Sequence, residues 1–373
     1  MRIGVPTEIK ANEYRVGLTP QSARELIRRD HQVTVESGAG HGILASDAAY
    51  REVGATIVDS AAEVFATSDL IVKVKEPQPT ECSMFRPDQI LFTYLHLAAD
   101  QALTEALMAS GVSALAYETV SSPDGSLPLL APMSEVAGRL SVQAGARALE
   151  RESGGAGILL GGVAGVAPAN VVVIGGGVVG TNAIQMALGL QARVTVLDLS
   201  LPRLRELDAL FAGRLNTVFA SAGNLESCVA DADLVIGAVL VPGAAAPKLV
   251  SKAMLGDMRA GSALVDVAID QGGCFATSHA TTHADPMYIV DDIVHYCVAN
   301  MPGAVPRTST YALNNATLPY VMRLAESGLA GALESDTHLR DGLNICHGEV
   351  TQPAVAEAFG FQCRTAVNAL RAA

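Results

Sequence analysis

No two of the six cysteines stand in a Cys-x-x-Cys pair: Cys82, Cys228, Cys274, Cys297, Cys346 and Cys363 are scattered along 373 residues. That spacing argues against a zinc ribbon or a paired-cysteine redox couple and predicts reduced, buried thiols of a cytosolic protein. Positive charge is also short. Lys and Arg number 25 against 38 for Asp and Glu, giving a net charge of −13. A field of that sign repels phosphate backbones and anionic lipid, so no nucleic-acid or membrane partner is expected. Charged residues make up only 17% of the chain, half of it is hydrophobic and glycine reaches 35, a balance that excludes global disorder, collagen and coiled coil. The amino terminus, Met1-Arg2-Ile3-Gly4-Val5-Pro6 with Glu8 and Lys10 close behind, lacks the apolar run of a signal peptide and reads as a strand. There is no low-complexity tail and no short-period repeat. The length predicts two domains, each able to bury a core.

Residues 153–192 contain no Asp, Glu, Lys, Arg or His. Their length would permit a membrane span. However, Gly154, Gly155, Gly157, Gly161, Gly162, Gly165 and Pro168 break the segment, and a three-glycine turn at Gly175, Gly176 and Gly177 breaks it again. A parallel strand buried on both faces, set between glycine-rich turns, accounts for the same apolarity.

Short β-rich runs at residues 2–5, 32–36, 71–74, 90–93 and 113–116 alternate with helical patterns, the rhythm of an α/β parallel sheet. Thr19 is placed to cap a helix that begins at Pro20 and buries Ala23, Leu26 and Ile27. A second helix spans 102–110 and stops at Gly111. Ser134 sits where a cap belongs, ahead of a long alanine-rich helix ending near Glu152. A further α/β unit follows, with strands at 171–174, 193–198, 234–237 and 263–266 and a helix at 177–191. From about Arg307 the pattern is helical, closed by Gly328, with two shorter helices expected before the carboxyl end, packing onto the first domain.

Val171-Val172-Val173-Ile174-Gly175-Gly176-Gly177-Val178-Val179-Gly180 is an apolar strand running into Gly-x-Gly-x-x-Gly and a helix. In such a turn Gly175 permits the tight bend, Gly177 lets backbone approach a pyrophosphate and Gly180 lets helix and strand pack closely, while the helix start offers N–H groups to the anion. Asp198 ends the next strand about twenty residues on, where an acid meets the ribose. A 2′-phosphate about 4 Å from that carboxylate would meet roughly 4 kcal/mol of repulsion at an effective dielectric near 20, which favours NAD over NADP. Arg203 is near enough in sequence to soften the preference.

Polar residues in the first domain carry two readings each. Arg15 suits a carboxylate clamp, or, taken alone, a surface salt bridge. Lys73 and Lys75 alternate, which places them on one face at the carboxyl end of a strand, where open α/β sheets put ligands; a solvated strand end is the alternative. His96, between Leu95 and Leu97, is either an acid–base group tuned near neutrality or a satisfied core histidine. Leu130 and Met133 are candidates for cupping a small side chain, or for the core. His279, His283 and Asp285 have spacing that invites zinc, but they lie in a loop-like segment without the following Glu, and no metal is expected.

Taken together, Met1-Arg2-Ile3-Gly4-Val5-Pro6-Thr7-Glu8-Ile9-Lys10 with Glu13-Tyr14-Arg15-Val16, Lys73-Val74-Lys75-Glu76-Pro77, Leu95-His96-Leu97-Ala98, Gly237-Ala238-Val239-Leu240-Val241-Pro242-Gly243, Val265-Asp266-Val267-Ala268-Ile269-Asp270-Gln271-Gly272-Gly273-Cys274 and Val298-Ala299-Asn300-Met301-Pro302-Gly303 resemble the alanine dehydrogenase family over nearly the whole chain. The resemblance implies NAD-dependent interconversion of L-alanine with pyruvate and ammonium by a cytoplasmic homohexamer. It implies two doubly wound, Rossmann-like α/β domains with parallel sheets and a cleft between them, a substrate domain of residues 1–130 plus 307–373 and an NAD-binding domain of 131–306. By the same likeness Arg15, Lys75, Tyr94, Met133 and Asn300 meet the substrate and His96 and Asp270 serve catalysis. Ser134, Gly175, Gly177, Val178, Val179, Gly180, Asp198, Arg203, Val239, Leu240, Val267, Asp270, Val298 and Met301 meet the cofactor. Arg203 replaces the lysine associated with its position, and His279 stands where a stronger base is expected. The soluble NAD-binding part of a proton-translocating transhydrogenase, which resembles this family, and a non-catalytic NAD-sensing protein are the competing readings.

Overall fold

A computed structural model describes residues 1–239 and 246–371 of the chain. It resolves into two compact units, Met1–Met133 with Val305–Ala373, and Ser134–Ala304.

The first unit is built on an eight-stranded sheet. In chain order its strands begin with β1 (Arg2–Val5), β2 (Gln32–Glu36), β3 (Thr56–Val58), β4 (Leu70–Val72), β5 (Ile90–Thr93) and β6 (Ser113–Ala116). Across the sheet the order is Glu349–Val350, Leu343–Cys346, β6, β5, β4, β1, β2, β3. β1 to β6 are mutually parallel, and β4, β5 and β6 are buried at every residue, which is why their sequences read as unbroken apolar runs. The chain leaves β1 toward β2 and β3, then returns to the other side of β1 for β4, β5 and β6. The winding therefore reverses between β1 and β4, and it is outside the carboxyl ends of strands at such a reversal that open α/β sheets bind ligands. Thr19 caps helix Pro20–Ile27 by accepting the Ser22 N–H at 3.1 Å, as its sequence predicts.

The second unit has seven strands: β7 (Asn170–Ile174), β8 (Arg193–Asp198), β9 (Leu215–Phe219), β10 (Leu234–Gly237), β11 (Ala263–Asp266), β12 (Met287–Val290) and β13 (Ile293–Tyr296). Their order is β12, β13, β11, β10, β7, β8, β9, so the winding reverses between β7 and β10. Val172, Ile174, Val235, Leu264 and Phe275 belong to the core on one face of this sheet.

Several expectations need correction. Both sheets are mixed: β12 pairs antiparallel with β13, and Leu343–Cys346 pairs antiparallel with β6. Among the described residues the carboxyl region holds three short helices, Thr337–Arg340, Pro353–Phe359 and Ala366–Leu370, where two were expected, together with two strands that were not. Short apolar strands there carry little periodicity, and it is the edge of β6 that recruits them. Ser134 is not a cap: the helix runs Ala131–Ala148 and Ser134 lies inside its first turns. β4 ends at Val72, so Lys73 and Lys75 are not alternating strand residues. Gly328 does interrupt the long helix Pro306–Ser335, at φ 67°. The six cysteines are thiols, but Cys363 is exposed and Cys228 only half-buried. Among the described residues no helix is long and apolar enough to cross a membrane.

Candidate active site

In the second unit β7 ends at the turn predicted from the glycines. Gly175 has φ 100°, a conformation that strains any residue with a side chain. A Cβ on Gly180 would collide with the Gly175 carbonyl oxygen, so that glycine is demanded by packing. Gly177 is different. Its φ is −68°, it precedes helix Val178–Gly189 with no side-chain cap, and a Cβ there would have no atom of the described residues within 4 Å. Among the described residues nothing requires glycine at this position. An uncapped start of a twelve-residue helix beside a glycine left open fits the approach of a pyrophosphate, which such helix starts bind through backbone N–H groups.

Asp198, at the end of β8, accepts the Gly176 N–H at 2.7 Å and the Ser200 N–H at 2.7 Å, which locks the turn to the acid. Arg203 binds the same turn: its Nε donates to the Gly176 carbonyl and its Nη2 to Thr181 Oγ1, each at 2.7 Å, while Nη1 pairs with Glu206. Val178 is exposed and Val179 half-buried in the first helical turn. Val239 lies beside Gly175, whereas Leu240 falls outside the described residues.

Val267 and Asp270 lie on the 3-10 helix Val267–Gln271, just past β11. The buried Asp266 secures this segment by accepting the N–H groups of Ala268 at 3.1 Å and Cys274 at 2.9 Å and the Ser278 hydroxyl at 2.5 Å. The exposed Asp270 carboxylate accepts the N–H of Asn300 at 3.2 Å, and Asn300 itself sits at φ 55°, where asparagine is tolerated. Val298 and Met301 are buried on either side of it. His279 stacks on Tyr288 with ring centroids 3.7 Å apart, and Tyr288 stacks on the buried His295, whose basicity burial lowers. His283 Nε2 lies 3.2 Å from the Asn300 carbonyl. Among the described residues no group of three or more His, Cys, Asp or Glu is placed to hold a metal.

In the first unit the candidates follow the carboxyl ends of three neighbouring strands: Arg15 after β1, Lys75 after β4, Tyr94 and His96 after β5. Arg15 is not the surface residue that its sequence alone suggests. Its guanidinium is buried in a two-bond pair with Glu13, Nε to Oε1 and Nη2 to Oε2, each at 2.6 Å, and Nη1 points at Met133 Sδ 3.0 Å away. Burial opposes the charge on Arg15, but Glu13 outweighs it and holds the guanidinium firmly protonated. Lys73 is likewise no solvated strand end. It is fully buried between Glu8 and Glu81, because an unpaired buried ammonium costs several kcal/mol while two carboxylates offset that cost. Lys75 is half-buried.

Tyr94 donates its hydroxyl to the Leu129 carbonyl at 2.5 Å, and burial raises its phenol well beyond the usual range. His96 is neither core nor fully solvated: its side chain is 48% exposed, its ring lies parallel to that of Tyr94, and its φ is 52°. Glu118, just past β6, accepts the His96 N–H at 2.6 Å and the Leu95 N–H at 3.2 Å, with Oε1 also 3.8 Å from His96 Nδ1. Sequence reasoning missed Glu118, Glu13 and Glu8. The available signal was an acid at the carboxyl end of a strand or in the loop leaving it, where the candidates themselves stand.

A glycine turn at a winding reversal, locked to the acid that ends the next strand, defines the second unit as a Rossmann-type nucleotide-binding domain. The family model described as alanine dehydrogenase/PNT, N-terminal domain, matches residues 4–137, and that of the C-terminal domain matches 141–353. The chain belongs to the alanine dehydrogenase/PNT family. A protein of Halomonas elongata named alanine dehydrogenase is 60% identical over 97% of this chain and 98% of its own, and one of Mycobacterium tuberculosis is 54% identical over 96% and 97%. A solved L-alanine dehydrogenase superposes with a TM-score of 0.94 at 54% identity, covering 96% of this chain and 99% of that one. A transhydrogenase from Sinorhizobium meliloti shares the fold, with a TM-score of 0.81 at 24% identity over 95% of this chain and 100% of its own.

Proposed function

We propose that the chain is an NAD-dependent L-alanine dehydrogenase: alanine, water and NAD give pyruvate, ammonium, NADH and a proton, and the reaction runs in reverse as reductive amination. The observation that carries this reading is likeness along 97% of the chain, at 60% identity, to a protein named alanine dehydrogenase. Residues 1–130 with 307–373 bind the substrate and 131–306 bind NAD. The glycine turn and Asp198 receive the cofactor, together with Ser134, Val178, Val179, Arg203, Val239, Leu240, Val267, Val298 and Met301. NAD, when bound, accepts hydride from the alanine Cα.

The chain's own groups do the rest. Arg15, held in plane by Glu13, anchors the substrate carboxylate through charge-assisted hydrogen bonds, each worth roughly 1.5 to 3 kcal/mol. Tyr94, Met133 and Asn300 complete the surroundings of the substrate. Lys75 stabilises negative charge that gathers on the carbonyl or carbinolamine oxygen. His96 moves the proton as water adds to the imine, or ammonia to pyruvate. Asp270 stabilises the iminium cation and orients water. A cytoplasmic homohexamer serving amino-acid catabolism, without nucleic-acid or membrane partners, completes the reading. The family resemblance supports the assembly, and the net charge of −13 argues against those partners.

Absorbance at the NADH band, with L-alanine, D-alanine, serine and glycine offered separately, tests the activity. Only L-alanine is expected to respond strongly. A protein that holds NADH yet fails to reduce pyruvate with ammonium is instead an NAD-binding protein without turnover.

The acid at Asp198 gives a second expected outcome. Its carboxylate faces the turn, and Arg203 is committed to Gly176, Thr181 and Glu206, so little positive charge is turned toward a 2′-phosphate. NAD is expected to bind more than about tenfold tighter than NADP, a difference above about 1.4 kcal/mol. Equal affinities by titration would count against this role for Asp198.

A further inference from the structure

Lys73 takes part in none of these steps, yet its ammonium is fully buried, a rare situation for lysine. Nζ lies 2.7 Å from Glu81 Oε1 and 3.1 Å from Glu8 Oε2, and both carboxylates are only 2% exposed. Glu81 also accepts the Gln78 N–H at 2.8 Å, at the start of helix Pro79–Cys82. Glu8 comes from the loop that leaves β1. Its other oxygen accepts the Val74 N–H at 2.6 Å and lies 3.5 Å from the Lys75 nitrogen. On the carbonyl side, the Tyr117 hydroxyl donates to Lys73 and the Thr93 hydroxyl donates to Lys75, each at 3.0 Å. The backbone on both sides of Lys75 is thus gripped by side chains from three other segments of the sheet.

Stability does not by itself account for such a cluster, since apolar residues of similar volume commonly serve a protein interior as well as a buried ion group does. Directional bonds to a short backbone segment supply something that packing does not: they fix where that segment lies. The segment fixed here carries Lys75, and the loop that supplies Glu8 also carries Arg15.

We propose that the Glu8–Lys73–Glu81 cluster positions Lys75. Glu8, held in place by Lys73, pins the Val74–Lys75 backbone to the loop after β1 and sets the spacing between Lys75 and Arg15, the two cations assigned to the substrate. Glu8 and Lys73 are therefore positioning residues, and the inference rests on the assignment of Lys75 to the substrate oxygen.

Steady-state kinetics of the intact enzyme with pyruvate, ammonium and NADH test it. Glu8→Ala removes the acceptor of the Val74 N–H and leaves Lys73 matched by Glu81. The pyruvate KM is expected to rise by about tenfold or more, with kcat within about threefold and NADH affinity unchanged. Glu8→Gln, which keeps a carbonyl oxygen for that N–H, is expected to recover most of the loss. A merely structural cluster would lower the melting temperature without moving KM. An unchanged pyruvate KM in folded Glu8→Ala, or a raised one that Glu8→Gln leaves uncorrected, overturns the proposal. Should Glu8→Ala fail to fold, Glu8→Leu, which fills similar space but offers the Val74 N–H no acceptor, carries the test: a raised pyruvate KM supports positioning and an unchanged one overturns it. Lys75→Gln separates the positioning of Lys75 from its contact with the substrate. If it impairs pyruvate use while the Glu8 variants do not, positioning alone fails; if it too leaves pyruvate use intact, the substrate assignment of Lys75 fails with it.

Discussion

His96→Asn lowers the single-turnover rate of pyruvate amination by about 100-fold or more while leaving NADH binding intact, because positioned proton transfer contributes roughly that much to a reaction of this kind. Asparagine is the informative replacement. His96 occupies the left-handed region at φ 52°, where asparagine is at ease and alanine is strained by about 1 to 2 kcal/mol, so His96→Ala mixes backbone strain with lost chemistry. The imidazole is half exposed, and its removal opens no core cavity. Glu118 grips the backbone of residues 95 and 96 and not only the ring, so the loop stays in place when the ring is gone. Asp270→Asn is expected to match the loss, since an amide oxygen still accepts the Asn300 N–H but carries no charge to set against an iminium. Near-normal single-turnover rates in either variant would remove that residue from the chemistry.

Gly177→Ala abolishes most NADH binding in a protein that folds as well as the parent. Its φ of −68° suits alanine, and the new methyl group meets no atom of the described residues within 4 Å. Removing a glycine at such a compatible site stabilises by about 0.4 to 1 kcal/mol through the unfolded state. The same methyl group stands where a pyrophosphate approaches the backbone, and an affinity loss of about 100-fold, or about 2.7 kcal/mol, is expected. Gly180→Ala behaves in the opposite way. Its Cβ runs into the Gly175 carbonyl oxygen, so stability falls by about 1 to 3 kcal/mol before any ligand is added. Calorimetry with and without NADH separates the two: the first variant melts no earlier than the parent and loses the rise that NADH induces, and the second melts early. NADH affinity equal to the parent in Gly177→Ala would mean that the turn binds no pyrophosphate.

The contrast between these glycines shows what a sequence can carry. Three glycines in register mark a turn, but which serves packing and which serves a ligand depends on what surrounds each one. Arg15 and Lys73 make the same point for charge. A cation in a loop reads as solvated, and only the acids folded onto it, Glu13 for Arg15 and Glu8 and Glu81 for Lys73, turn it into an interior group. Ser134 failed as a cap because the helix had already begun at Ala131, with Pro132 in its first turn, where proline is tolerated.

Legible from residue order alone were the strand–glycine turn–helix of the nucleotide domain, the terminal acid at Asp198, the capped helix after Thr19 and the break at Gly328. Each of these is dictated by the backbone freedom and hydrogen bonds of residues close together in the chain. It took the folded chain to show that strands near the carboxyl end extend the first sheet, that Glu118 holds His96 and that Lys73 is buried between Glu8 and Glu81. Those outcomes depend on edge pairing and on charges meeting across distant segments, and neither leaves a local period in the sequence.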